Sequence, residues 1–160
     1  MNRQIFYHSN HASNTLTIAK YGIPPFKHPV IPKPIVMLFE SDNASKLFAD
    51  FCFVEFKITV RNWIIFKVNL DEQELKYFAK GYEFNADNLS DVLMCDDKSI
   101  DNIMNRYKLL LEWIRRHNSN ERVFFTKDYI PSHLVYPYGK YQILNINPVT
   151  DYGYRKGKNY

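Results

Sequence analysis

The chain has 160 residues, 46% of them apolar and 16% aromatic, which is enough for one domain with a sizeable hydrophobic core. Its longest apolar stretch, residues 54–70, contains four charged side chains, whereas a membrane-spanning helix requires ~18 uncharged apolar residues. The formal net charge of +4 permits an anionic partner without requiring one. Composition therefore predicts a soluble globular protein without a membrane partner.

Targeting and metal signals are absent from the sequence. Residues 1–5 show no apolar segment with a small-residue cleavage site, so we expect an intracellular, cytoplasmic protein. Cys52 and Cys95 lack CxxC spacing and fall in apolar surroundings, which favours buried free thiols. The histidines are scattered without metal-ligand spacing, and no glycine-rich phosphate loop occurs. We therefore expect neither a bound metal nor P-loop chemistry.

The first part of the chain predicts a strand, a helix and a loop. Residues 5–8 form an apolar run of strand length. The polar residues 9–10 and 13–14 can cap a short helix, which Gly22 is expected to end. Five prolines within residues 24–34 then predict a stiff loop without regular structure.

The next part predicts most of a sheet. Residues 35–39 are apolar and strand-like, and the polar residues 40–43 can cap a helix over residues 44–51. Residues 53–59 alternate between two faces, and residues 63–70 are rich in β-forming side chains, so both predict strands. The sheet is therefore expected to contain at least four strands.

The second half predicts two helices and two further extended runs. Residues 71–81 have an acidic first turn and a terminal glycine. Residues 99–116 repeat apolar positions at steps of three and four and end in basic side chains, which predicts the longest helix. Residues 123–126 predict a strand, and a turn at residues 130–134 leads to a final run at residues 142–146.

Strands mixed with short helices, without regular βαβ alternation, predict the α+β class. We expect a single domain over residues 1–150, followed by a polar, basic C-terminal tail at residues 151–160.

Three sequence segments follow one another along the chain in an order that can be compared with known families, and two of them lie in its first half. The first segment is Tyr7-His8-Ser9-Asn10 at the end of the first strand, followed by Tyr21-Gly22-Ile23. The second segment is the strand at residues 36–39, followed by the helix at residues 44–51.

A third segment completes the order. It comprises Asn120-Glu121-Arg122 before a late strand and Ile130-Pro131 after that strand. Over residues 5 to about 135 the chain resembles the ADP-ribosyltransferase superfamily, which includes diphtheria-toxin-like and PARP-like enzymes. The resemblance implies a split β-sheet core with peripheral helices, and a cleft that holds NAD between two small sheets.

The resemblance also implies an activity, that of an NAD-dependent mono-ADP-ribosyltransferase, a glycosyltransferase that modifies a protein or nucleic acid. Glu121 is the implied catalytic residue, because a carboxylate stabilises the positive charge that develops on ribose when nicotinamide leaves. The implied cofactor-binding residues are His8, Ser9, Tyr21, Phe48 and Phe51. The implied acceptor-binding residues are Arg116, Asn118 and Ser119. His8 and Glu121 are expected to share one cleft, with the proline-rich loop and Phe26 above it.

Several alternatives stay open at this stage. Ser9-Asn10 stands where the family usually has Gly-Thr, and phenylalanines stand where it often has tyrosines, so a non-catalytic binding or inhibitor protein on the same fold is the main alternative. An RNA 2′-phosphotransferase-like enzyme is another. His8 could instead be a structural histidine, and Phe48 and Phe51, spaced i and i+3, could belong to the core. Basic residues of the long helix could contact nucleic acid.

Overall fold

The structure, a computed structural model, describes residues 4–26, 34–71, 73, 97–117 and 122–144. Five strands and three α-helices follow one another in these residues: β1 (Gln4–His11), α1 (Thr15–Tyr21), β2 (Val36–Phe39), α2 (Asp42–Glu55), β3 (Asn62–Leu70), α3 (Asp97–Arg116), β4 (Val123–Thr126) and β5 (Val135–Gln142). Short 3-10 turns precede α1 and β5. The predicted α+β class is confirmed.

The five described strands form one sheet in the order β4-β2-β1-β3-β5, and every neighbouring pair is antiparallel. β1 lies at the centre and pairs with β3 along its whole length, from Gln4 opposite Leu70 to His11 opposite Trp63. The resemblance implies a split sheet, whereas the strands in the described ranges form one continuous sheet. The three segments that carry the resemblance contribute β1, β2 and β4, which are consecutive in this sheet.

Successive side chains of a strand point to opposite faces, so the sheet separates two hydrophobic cores. We call the face covered by α2 and α3 the helix face, and the face covered by α1 the α1 face. The strand side chains in the core of the helix face are Met37, Phe39, Trp63, Val123 and Phe125. Those in the core of the α1 face are Phe6, Val36, Leu38, Ile64, Phe66, Val68, Leu70, Phe124 and Val135.

Two predicted helix boundaries are confirmed by their capping geometry. Ser41 precedes α2, and its hydroxyl accepts a hydrogen bond from the main-chain N–H of Ala44 at 3.1 Å. Gly22 follows α1 with a φ of 91°, a conformation that favours glycine. The long amphipathic helix predicted over residues 99–116 is α3, with Arg115 and Arg116 in its last turn.

The strand predicted over residues 53–59 is wrong. The chain stays helical to Glu55, and Lys57 then adopts a left-handed φ of 54°, after which Ile58 donates its N–H to the carbonyl of Cys52. Phe53 and Val54 are buried in the same core as side chains of the sheet and α3, and α2 is buried on several sides. Such a helix has no clear 3.6-residue stripe, and a short stretch of it resembles strand alternation.

The final predicted run, residues 142–146, is displaced relative to the strand. β5 runs from Val135 to Gln142 and overlaps the run at one residue only, while residues 145–146 lie outside the described ranges. β5 stands at the end of the strand order, next to β3 alone, and Pro137 pairs with Phe66 beside an irregularity in the register. An edge position tolerates proline and exposed tyrosines, which is why this strand lacks an apolar pattern.

Some predictions fall wholly or largely on residues that the structure does not describe. The helix expected at residues 71–81, Cys95 and the tail at residues 151–160 belong to this group. Cys52, by contrast, is a buried free thiol as predicted, and burial raises its pKa well above the usual range. Over the described ranges, the helices are all too short or too polar to cross a membrane.

Candidate functional site

His8 lies on the α1 face of the central strand β1, and only 2% of its surface is exposed. Its Nδ1 atom is 2.9 Å from the carbonyl oxygen of Met37 on β2, and its Nε2 atom is 3.2 Å from the side-chain nitrogen of Asn10. Both ring nitrogens therefore have a hydrogen-bond partner inside the protein. Burial lowers the pKa of His8 to about 4, against the smaller opposite effect of the Met37 hydrogen bond. The imidazole is neutral at physiological pH.

The next predicted cofactor residue, Ser9, lies on the other face of the sheet, since neighbouring strand residues alternate. It pairs with Ile65 of β3 and is buried. Its hydroxyl has no hydrogen-bond partner in the part of the chain that the structure describes. The side chains of His8 and Ser9 therefore cannot contact one ligand from the same side.

Phe48 and Phe51 lie on α2 and pack into the core of the helix face. Phe48 is 3% exposed and contacts Phe39 with ring centroids 5.1 Å apart. Phe51 is 1% exposed, and its ring centroid is 6.0 Å from that of Trp113 on α3. Neither ring offers a free face to a ligand in this structure, and both lie across the sheet from His8. Their observed contribution is to the hydrophobic core.

Tyr21 ends α1 and is 58% exposed, with the ammonium group of Lys20 5.0 Å from its ring centroid. The residues after it form a joint with a distant turn. Ile23 and Ile130 exchange two main-chain hydrogen bonds of 2.9 and 3.0 Å. A Cβ atom at Gly22 would lie 2.1 Å from the carbonyl oxygen of Ile130, so only glycine fits there. We call this contact the Ile23–Ile130 joint.

The proline-rich loop begins beside His8, and its two ends are paired with each other. Phe26 and Ile35 exchange two main-chain hydrogen bonds of 3.0 Å, which tie the two ends of the loop together. The Phe26 ring contacts the His8 ring edge-on, with centroids 6.1 Å apart. Residues 27–33 of this loop, which was predicted to lie above the cleft, are outside the described ranges.

Most of the predicted catalytic and acceptor residues are not described. Glu121, Asn118 and Ser119 lie outside the described ranges, so the expected closeness of Glu121 to His8 stays a prediction. Arg116 is exposed in the last turn of α3. Arg122, the residue after Glu121, donates its main-chain N–H to Glu40 at 2.6 Å, and its guanidinium lies 3.3 Å from the same carboxylate. This contact anchors the start of β4 to the end of β2.

One residue that contacts His8 was predicted only as part of a departure from the family pattern. Asn10 is buried beside His8 and bonds to its ring. Residues i and i+2 of a strand share a face, but the strand was predicted only as far as His8, whereas β1 continues to His11. The other partner of His8, the Met37 carbonyl, lies on another strand and could not be found from local spacing.

Comparisons with known proteins identify no family for this chain. No protein-family model matches the chain, and neither a curated protein nor a solved structure matches it. Among the described residues, no group of three or more histidine, cysteine, aspartate or glutamate side chains could hold a metal ion.

Proposed function

We propose that this chain is an NAD-dependent mono-ADP-ribosyltransferase that modifies a macromolecular acceptor. The observation that carries the proposal is the Ile23–Ile130 joint. It connects the Gly-Ile part of the first segment directly to the Ile-Pro part of the third. The strand of the second segment, β2, lies between the strands of the other two. The strands of the three stretches are thus neighbours in one sheet, which supports the proposal.

The proposed reaction breaks the bond between nicotinamide and ribose. Nicotinamide leaves with the bonding electron pair, a nucleophilic atom of the acceptor forms the new bond to the ribose carbon, and that acceptor group loses a proton. Positive charge develops on the ribose in the transition state. We assign the stabilisation of this charge to the Glu121 carboxylate, because an ionised group placed beside developing charge acts most strongly in a site that excludes water.

The cofactor side of this proposal is the α1 face around His8. The neutral imidazole can accept a hydrogen bond from a ribose hydroxyl. Phe26 contacts the same ring, so the proline-rich loop starts next to the proposed NAD position. Phe48 and Phe51 take no part on this face and support the sheet from behind.

The proposal is tested with labelled NAD. The purified protein is incubated with labelled NAD and a cell lysate, and transfer of the label to a discrete macromolecule is the expected result. Glu121→Gln should reduce the rate by at least about a hundredfold, since it removes one preorganised charge from the transition state. Glu112→Gln, at an exposed position of α3, is the matched control and should keep the wild-type rate. Equal labelling by wild type and Glu121→Gln would contradict the assignment.

A second function is favoured by one observation, the nearly complete burial of His8 with both ring nitrogens bonded internally. A protein that keeps the fold but does not turn over NAD would have this feature. Thermal unfolding with and without NAD, combined with an assay for released nicotinamide, separates the two functions. If NAD binds, a free NAD concentration of a hundred times Kd should raise the free energy of unfolding by about 2.7 kcal/mol. Stabilisation without nicotinamide release would favour the non-catalytic function.

A further inference from the structure

Asn10 is the central member of a series of hydrogen bonds that is buried at its His8 end and partly exposed at its Asn14 end. Its side-chain oxygen accepts from the main-chain N–H of His11 at 2.8 Å and from the side-chain amide of Asn14 at 2.8 Å. Its side-chain nitrogen lies 3.2 Å from Nε2 of His8. This series of hydrogen bonds ends at β2, where Nδ1 of His8 lies 2.9 Å from the carbonyl oxygen of Met37. It connects the start of α1 to two central strands.

The direction of each hydrogen bond in this series is determined by groups that can only donate or can only accept. The main-chain N–H of His11 can only donate, so the Asn10 oxygen, and not its nitrogen, must face it. The Asn10 nitrogen, which has no lone pair to offer, then faces His8 and donates to Nε2. At the other side of the ring the Met37 carbonyl can only accept, so Nδ1 carries the proton.

We propose that Asn10 is a positioning residue that holds His8 in the neutral tautomer with the proton on Nδ1 and with Nε2 as an acceptor. One consequence rests on the proposed function. A ribose hydroxyl of NAD then reaches His8 as a hydrogen-bond donor to Nε2, where it takes the place of the Asn10 amide. The Ser9-Asn10 departure from the family pattern thereby acquires a role, which is to prepare the acceptor atom of His8 before the ligand arrives.

The test is nitrogen NMR of ¹⁵N-histidine-labelled protein at pH 7, with the His8 signals identified by their loss in His8→Gln. In the wild type we expect a protonated Nδ1 and an unprotonated Nε2. Asn10→Asp keeps an acceptor for the N–H of His11 but turns the donor facing His8 into a carboxylate. Nε2 should therefore become protonated. Asn14→Ala removes one donor to Asn10 and leaves the His11 contact in place, so as a control it should preserve the wild-type pattern.

A wild-type spectrum with the proton on Nε2, or on both nitrogens, overturns the inference even if Asn10→Asp does not fold. An Asn10→Asp protein that folds and keeps a bare Nε2 also overturns it. Addition of NAD tests the proposed function separately. If the wild-type pattern is as expected and the His8 signals do not respond to saturating NAD, the tautomer assignment stands and the role of His8 in NAD binding fails.

Discussion

Replacement of Gly22 by alanine should destabilise the protein strongly, because two independent requirements for glycine coincide at this position. Gly22 has a φ of 91° and a ψ of −172°, a region of backbone conformation that is almost exclusive to glycine. In addition, an alanine Cβ would lie 2.1 Å from the carbonyl oxygen of Ile130 and 2.9 Å from the main-chain nitrogen of Ser132. Both atoms belong to the backbone, so neither can move aside by a change of side-chain rotamer.

The size of the effect follows from these two contacts. A non-glycine residue held in such a conformation costs about 1–3 kcal/mol. Relief of the clash requires the backbone around Ile130 to move, which would weaken the two hydrogen bonds of the Ile23–Ile130 joint, each contributing about 1 kcal/mol. The free energy of unfolding should therefore fall by about 3–5 kcal/mol. For a domain of this size that corresponds to a decrease in Tm of about 10 °C.

Chemical denaturation of Gly22→Ala and Gly139→Ala measures this effect against a matched control. Gly139 lies on β5, its φ is outside the left-handed region, and a Cβ there meets no heavy atom within 4 Å. The control should change the free energy of unfolding by less than about 1 kcal/mol. If the two variants have the same stability within that margin, the Ile23–Ile130 joint is not packed as described and the reasoning is refuted.

Two further predictions concern buried side chains. The pKa of a histidine in the unfolded chain is about 6.5, whereas burial lowers that of His8 in the folded protein to about 4. As the pH decreases through this range, the unfolded state binds a proton that the folded state does not bind. The free energy of unfolding should therefore decrease by about 3 kcal/mol in total. Denaturation at a series of pH values should show this slope in the wild type and a smaller slope in His8→Gln; identical slopes would contradict the buried neutral imidazole. Phe51→Ala should lower the free energy of unfolding by about 3–5 kcal/mol, as expected for a core aromatic side chain. An effect below about 1 kcal/mol would instead point to an exposed ring.

Local elements were largely predictable from the sequence. The Ser41 cap of α2, the end of α1 at Gly22 and the amphipathic pattern of α3 depend on neighbours within about four residues, so their signals lie in short windows. The prediction failed at residues 53–59, where burial on several sides of α2 removes the stripe that distinguishes a helix. It also failed at β5, whose edge position permits a proline and exposed tyrosines.

The candidate site, like the fold, was predictable from the sequence only in part. The sequence predicted a strand as far as His8, whereas β1 continues to His11, and for this reason the side chains of His8 and Asn10 share a face of the strand. Only the tertiary structure placed the Met37 carbonyl beside Nδ1 of His8 and the Ile130 carbonyl against Gly22. Those partners come from other strands and turns, and their approach is set by strand order and register. Hydrophobic burial over the whole sheet determines that order, and no local spacing encodes it.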